Sequence, residues 1–488
     1  MRIESGFGGR PRGPTVRRVP ACLGALLAWA GLTVAVVAAQ DLNLTGVGAV
    51  PLEGGRPNIL LIVGDDMGVD RVGAYGEHPD AGPTPVLDAL AQQGVLFRNA
   101  WSNATCSPTR ATLLTGRYGF RTGVGRAITY SNGDFELSVD EPSLARALSA
   151  AAPAGAWLRG PRYSTAAVGK WHLGTAGGSG PLHPLLLGFD HHSGPPDNLP
   201  DAPGTDTWFE FEKHVDGATV VSTTYATTDQ VDDALAMFAA LPEPWFVWLA
   251  FSSAHAPFHA PPAELHSLDL PPTPQDDLPL HHRAMVEALD TELGRLLDGL
   301  GDGLRARTLV TFVGDNGTPN VVTTAPFDPE HGKGTAYEGG INVPLIVAGP
   351  GVAVGVECAG LVNTTDLFAT FCELAGVPAD GALDSVSPDS VSLVPYLAQP
   401  DRPSLREWVY ADGFAPNGPG PYVQRSRALR DERYKLIHRE LLNGHEVTLL
   451  YDLEADPFEQ VDLLRQGPLT AAQQAAHDAL WAVLGGLR

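Results

Sequence analysis

The sequence predicts an α/β fold: a large, mostly parallel sheet flanked by helices, followed by a smaller C-terminal antiparallel-sheet subdomain. Short continuous apolar runs recur through the first 350 or so positions, and such runs suit strands buried on both faces of a parallel sheet. Segments with apolar residues at helical spacing lie between them, and that alternation is the mark of βαβ units. Near residue 400 the texture changes to closely spaced, short strand candidates.

The first apolar run covers 58–63 and ends in Gly64-Asp65-Asp66. Further candidate strands cover 166–168, 245–251, 308–313 and 343–348. Helical patterns cover 85–93, 142–150, 227–241 and 282–300. Pro400-Asp401-Arg402-Pro403 marks a boundary, giving a main domain over 40–400 and a subdomain over 401–488. Strand candidates at 408–410, 425–429, 434–438 and 447–451 form the small sheet. In the tail, Leu469, Ala472, Ala476, Leu480, Val483 and Leu484 repeat at helical spacing, a packing stripe without chemical content.

A chain of 488 residues with 44% hydrophobic and 18% charged residues is globular, and its length suits a large core with an appendage. The formal net charge of −24 argues against nucleic acid and anionic membranes as partners. A site for anionic esters must therefore gather its few cations locally. Residues 1–39 read as a signal peptide: Arg10, Arg12, Arg17 and Arg18 precede an apolar stretch at 21–37, and Val37-Ala38-Ala39 offers a small-residue cleavage site. The expected location is periplasmic or secreted, with an uncleaved N-terminal anchor as the alternative. No later apolar run reaches the roughly 18 residues of a membrane span. Of the four cysteines, Cys22 leaves with the signal; Cys358 and Cys372 form either a disulfide or two free thiols.

Ligands of open α/β sheets bind at the carboxyl ends of the strands. Asp65 and Asp66 follow one strand; Asp315 and Asn316 follow another. Three carboxylates and an amide are a hard-oxygen set suited to Ca²⁺ or Mg²⁺. Taken singly, Asp-Asp is equally a solvated turn and Asn-Gly a hairpin turn. A cationic set accompanies them: Lys170 and His172 in Gly-Lys-Trp-His-Leu-Gly, two apart and hence on one side of an extended segment, His255 before Ala-Pro, and Lys333 between glycines. An anionic substrate gives such cations a purpose. His259, His266, His281 and His282 are read as ordinary residues.

Cys106-Ser-Pro-Thr-Arg110, running on to Leu-Thr-Gly116, joins a thiol to a fixed φ at Pro108 and a permanent charge at Arg110. This stretch resembles the sulfatase signature C-x-P-x-R…L-T-G. The resemblance extends through G-K-W-H-L-G, the His255 loop, Gly332-Lys333-Gly334…Glu338-Gly339-Gly340, Gly188-Phe189-Asp190, Tyr434-Lys435-Leu436 and Leu450-Tyr451-Asp452-Leu453…Asp456-Pro457, in family order from about 57 to 464. It implies an alkaline-phosphatase-like fold and oxidation of Cys106 to Cα-formylglycine by a formylglycine-generating enzyme. It also implies a divalent metal, Ca²⁺ or Mg²⁺, on Asp65, Asp66, Asp315, Asn316 and the converted Cys106. The implied catalytic set is Cys106, Arg110, Lys170, His172, His255 and Lys333. Arg110 and the metal stabilise the hydrated aldehyde and Asp315 helps deprotonate it. Lys170, His172 and Lys333 hold sulfate, and His255 or Lys333 protonates the leaving oxygen. The implied activity is hydrolysis of aryl or carbohydrate sulfate monoesters. Alternatives are a phosphonate monoester or phosphodiester hydrolase using the same site, and a non-catalytic binder of sulfated glycans. Thr109, Asn342 and Ala369 depart from the family's frequent Ser, Arg and Pro. Loops 191–207 and 412–422, which match no pattern, are expected to decide the substrate.

Overall fold

The computed structural model describes residues 55–133, 135–149, 163–200, 207–377 and 389–487; the predicted signal peptide lies outside these. The strands are β1 (Asn58–Gly64), β2 (Gly94–Trp101), β3 (Ser164–Gly169), β4 (His191–Gly194), β5 (Phe211–Val215), β6 (Ala218–Ser222), β7 (Trp245–Ala250), β8 (Thr308–Gly314), β9 (Leu345–Ala348) and β10 (Val356–Asn363), followed by β11 (Val409–Ala415), β12 (Gln424–Arg430), β13 (Tyr434–Glu440) and β14 (Glu446–Asp452). The first ten form one sheet in the order β10-β2-β9-β8-β1-β7-β3-β4-β5-β6, and the last four form a second sheet in sequence order. The large sheet is parallel from β8 through β4. It is antiparallel where β9 lies between β8 and β2 and along the β4-β5-β6 edge. The expected large and small sheets are both present.

β1 shows why an apolar run becomes a central strand. Ile59, Leu61 and Val63 enter one core cluster while Leu60 and Ile62 enter the other, because successive side chains leave a strand on opposite faces. Helices cover each face: Ala226–Ala240 and Leu278–Arg305 on one, Leu144–Ser149 and Asp366–Leu374 on the other. Cys358 and Cys372 are free thiols buried in the core. Ala369, where proline was expected, donates its backbone N–H to Ser390 Oγ at 3.0 Å; proline has no such donor.

In the small sheet, Val409, Ala411, Ala428, Ile437 and Leu449 pack against Trp101, Ile341 and Leu361 of the large sheet and its loops. On the other face Tyr410, Leu429, Leu436 and Leu450 are covered by Leu480 and Leu484 of the helix Ala471–Gly486. The predicted stripe is thus a packing face, although Ala472 stays exposed. A buried charge cluster joins the two sheets. Glu338 accepts from Lys435 Nζ at 3.0 Å and Arg430 Nη1 at 3.2 Å. Lys435 also lies 2.8 Å from Glu459 and 4.8 Å above the Trp101 ring. The Glu-Gly-Gly and Tyr-Lys-Leu marks of the sequence meet in this joint through Glu338 and Lys435.

Candidate active site

Register sets the site. β1 and β8 run in parallel with Gly64 opposite Gly314, so Asp65-Asp66 and Asp315-Asn316 leave the sheet side by side at its carboxyl edge. Asp315 N–H donates to Gly64 O at 3.0 Å, and Asp66 N–H to Asp315 Oδ1 at 3.2 Å. β7 and β3 end level with them, since Val63 and Gly169 both pair with Ala250. At Gly169, with φ +86°, an added Cβ would lie 2.0 Å from Ala250 O. Only glycine fits there, and the next residue is Lys170.

Cys106 opens the ten-residue buried helix Cys106–Thr115, whose N-terminal N–H groups favour negative charge nearby. Its sulfur is 3.4 Å from Asp65 Oδ1. Arg110, one turn later on the same face, donates to Asp315 Oδ2 from Nε (3.0 Å) and Nη2 (2.9 Å), and to Lys170 O at 2.6 Å. Thr109, in place of the frequent Ser, accepts the Asn103 N–H at 2.9 Å, a role the shared hydroxyl explains. Lys170 Nζ bonds Asp65 Oδ2. Lys333 Nζ is 2.5 Å from Asp66 Oδ1, on a loop pinned by Lys333 N–H to Thr318 O and Gly334 N–H to Ala104 O. His255 Nε2 lies 3.8 Å from Asp66 Oδ2. Cys106, Arg110, Lys170, Lys333 and His255 thus each contact Asp65, Asp66 or Asp315 at this one edge.

His172 arrives differently from the expectation. It does not share an extended strand with Lys170: the chain leaves β3 at Gly169, and His172 itself has φ +62°. Asp66 has φ +59°. Such left-handed conformations cost a non-glycine residue energy and cluster at functional sites. His172 Nε2 lies 2.9 Å from Asp197 Oδ1, and Asp197 is itself held by the Tyr130 N–H at 2.7 Å. Sequence reasoning missed Asp197, which sits in the uninterpreted 191–207 loop. His282, read as an ordinary residue, donates from its ring to the Asp66 carbonyl at 3.2 Å. No local motif announces either residue; only the packing of remote elements does.

Burial alone would raise the Asp65 carboxyl, but Lys170, aided by His255, Arg110 and Lys333, holds it well below the usual carboxylate range. Asp66 is lowered in the same way against burial, chiefly by Lys333 and His255. Burial, with Asp315 and Asp65 adding, pushes the Cys106 thiol far up. His172 falls to about 4 through burial and the neighbouring Lys170, so it is a neutral imidazole at pH 7.

The donor set fits a divalent cation. Single atoms of Asp65, Asp66, Cys106 and Asp315 all lie within 4.8 Å of one another and are buried. The Asn316 amide nitrogen is spent on Asp66 Oδ1 at 2.7 Å and Gly317 O at 3.0 Å. Its Oδ1 is buried with no hydrogen-bond partner among the described residues, and a buried orphan acceptor calls for a ligand. Clustered hard oxygens match Ca²⁺ or Mg²⁺.

Comparison with known proteins agrees with this geometry. Residues 57–377 match the sulfatase family, and residues 330–484 match the C-terminal region of N-sulphoglucosamine sulphohydrolase. Human N-acetylgalactosamine-6-sulfatase is 32% identical over 378 residues, covering 71% of this chain and 67% of that protein. Human arylsulfatase A is 31% identical over 462 residues, covering 84% and 83%. The crystal structure of the PsFucS1 sulfatase from Pseudoalteromonas sp. superposes with a TM-score of 0.65 at 24% identity, covering 88% of this chain and 90% of that one, and shares the fold. No helix among the described residues is long and apolar enough to cross a membrane. With an acidic cluster, a cationic rim and a helix-borne Cys-x-Pro-x-Arg all on one sheet edge, and with relatives of this kind, the chain belongs to the sulfatase family and is a hydrolase of sulfuric esters.

Proposed function

We propose that this protein hydrolyses carbohydrate or aryl sulfate monoesters, using Cys106 matured to formylglycine beside a divalent metal held by Asp65, Asp66, Asp315 and Asn316. The observation that carries it is the position of Cys106: first residue of a buried helix, 3.4 Å from Asp65, inside a cluster of acidic oxygens. Bound there, the metal supplies Lewis-acid charge to sulfate oxygens, and the matured residue supplies a geminal-diol nucleophile. Arg110 fixes Asp315 through two donated hydrogen bonds, which places a carboxylate beside position 106 to take up a proton. Lys170 and Lys333 present donors to the sulfate oxygens, where charge develops as the ester bond breaks. His172, whose Nε2–H is taken by Asp197, joins them through Nδ1 once a bound anion holds that nitrogen protonated. His255 is half-buried at the open side of the cluster, suited to give the leaving oxygen its proton. Asp197 positions His172. The identity of the relatives, an N-acetylgalactosamine-6-sulfatase and an arylsulfatase, supports the substrate class. Maturation requires a formylglycine-generating enzyme as a partner, and the predicted signal peptide supports a periplasmic or secreted site of action.

The test is mass spectrometry of the tryptic peptide 99–110 from protein produced with a formylglycine-generating enzyme, alongside turnover of 4-nitrophenyl sulfate and 4-nitrophenyl phosphate. The expected result is an aldehyde mass at position 106 and turnover of the sulfate ester. An unmodified thiol in active protein would overturn the mechanism, and preference for the phosphate ester would overturn the substrate class.

A further inference from the structure

A cavity of about 350 Å³ opens between the catalytic loops and the small sheet, within the size range of small-molecule sites. Its walls adjoin the chemistry: Ala104 and Thr105 immediately precede Cys106, and Gly334 immediately follows Lys333. The Gly334 N–H to Ala104 O bond at 2.8 Å ties these two walls together. Cys106 and Lys333 are each one residue from this lining along the chain, so the cavity is the neighbouring space for the alcohol part of an ester whose sulfate sits among Cys106, Lys170 and Lys333.

The floor is the face of the small sheet that packs toward the large one. Ile437 belongs to that face, and Arg439, two residues along β13, lies on it as well because strand side chains alternate. Across the sheet Arg439 pairs with Ser426 on one side and Val447 on the other, and Ser426 with Gly413, so on the β12 side the neighbouring side chains are small. Three other arginines of this sheet and its turns are paired: Arg427 with Glu440 at 3.0 Å, Arg430 with Glu338 at 3.2 Å, Arg433 with Asp452 at 2.7 Å. Arg425, which also lines the cavity, lies 5.7 Å from the Tyr422 ring centroid and faces Asp412. Arg439 and Arg126, both exposed and both lining the cavity, have no ion-pair partner among the described residues. Two carboxylates also line it, and Asp412 Oδ1 is buried without a hydrogen-bond partner among the described residues. Glu440 is held by Arg427, and Asp412 is buried, with its Oδ2 accepting the Phe120 N–H at 3.2 Å. On a chain of net charge −24, the exposed guanidiniums of Arg439 and Arg126, with the part-buried Arg425 beside them, make a local cationic field in one cavity.

We propose that the alcohol part of the ester occupies this cavity and carries a second anionic group, a carboxylate or a further sulfate, which Arg439 binds with support from Arg126. The inference rests on the reading of the site as a sulfate ester hydrolase and names its substrate more narrowly. A planar guanidinium fork matches either oxyanion bidentately.

The test uses matured full-length protein and matched pairs of substrates. One pair is a monosulfated disaccharide containing a hexuronate and the same disaccharide with the carboxyl group reduced to an alcohol. The other is a hexosamine disulfate and its monosulfate. The quantity read is the kcat/KM ratio within each pair. The wild type is expected to favour the more anionic member of at least one pair by about tenfold or more, the effect of one charge-assisted contact; which pair shows it distinguishes carboxylate from sulfate. Arg439→Gln should collapse that ratio toward one, and Arg439→Lys should retain part of it. A wild-type ratio near one in both pairs, or a ratio unchanged in Arg439→Gln, would overturn the inference while leaving sulfatase chemistry intact. Absence of turnover on all these esters and on 4-nitrophenyl sulfate would instead overturn the functional reading beneath it.

Discussion

Two buried charge clusters in this molecule look alike in composition and differ in purpose. At the sheet joint, Lys435 and Arg430 of the small sheet meet Glu338 and Glu459. There each Glu is drawn to a cation. At the carboxyl edge of the large sheet, Arg110, Lys170 and Lys333 meet Asp65, Asp66 and Asp315, but the acidic oxygens also crowd within 4.8 Å of one another. A neighbouring amide oxygen is left without a partner. Crowded like charges destabilise a fold unless a further cation joins them, so this arrangement is evidence of chemistry. The joint is a buried ion-pair network that links one sheet to the other.

The largest effect expected falls on the edge cluster. Cys106→Ala should lower sulfatase activity by about 10⁴-fold or more, as removal of a nucleophile does, while thermal unfolding stays cooperative; retained activity would make Cys106 a packing residue. Removing divalent metal with a chelator should cost about a thousandfold in rate, equivalent to several kcal/mol of lost charge stabilisation. It should also lower Tm, because a ligand bound only by the folded state stabilises it, with Ca²⁺ or Mg²⁺ restoring both. No change on chelation would erase the contrast between the clusters.

The joint should respond in the opposite sense. Lys435→Met leaves Glu338 and Glu459 facing each other and is expected to cost about 3–5 kcal/mol in denaturant unfolding, with activity per folded molecule near wild type. A stable variant with lost activity would move the joint into the functional machinery.

Acid should weaken the aromatic packing of His259 against Trp208 and Tyr225. His259, stacked on Trp208 with ring centroids 4.4 Å apart, is lowered to about 4 by burial. A depressed histidine contributes stability above its unfolded value of about 6.5 and loses it as pH falls toward 4. From pH 7 to pH 5, wild type should therefore lose about 2 kcal/mol relative to His259→Gln, and parallel pH profiles would show that the imidazole is not buried in solution. The smallest change expected is in Asp197→Asn: about a tenfold fall in kcat/KM, as for other groups that orient an active-site residue. An unchanged KM would place Asp197 behind the chemical step.

Much of this was legible in the chain. Apolar runs such as 58–63 revealed the buried parallel strands, and the acidic pairs after β1 and β8 were readable because strand ends are where such sheets bind ligands. The edge strands β4 to β6 were not: β4 has four residues, and four of the five residues of β6 are exposed. Neither therefore carries the continuous apolar signal. β10 was missed for the same reason, its first half being largely exposed.

Sequence alone determined the chemical identity of the site, because hard oxygens, Lys, His and a Cys-x-Pro-x-Arg segment are properties of residue type and spacing. Tertiary structure alone decided what each group faces. Register set Asp65 against Asp315, and the turn after Gly169 swung His172 onto Asp197. A long helix brought His282 beneath Asp66, and the small sheet placed Arg439 beside the cavity next to Cys106. These contacts join positions far apart along the chain, and only packing of the folded core brings such positions together.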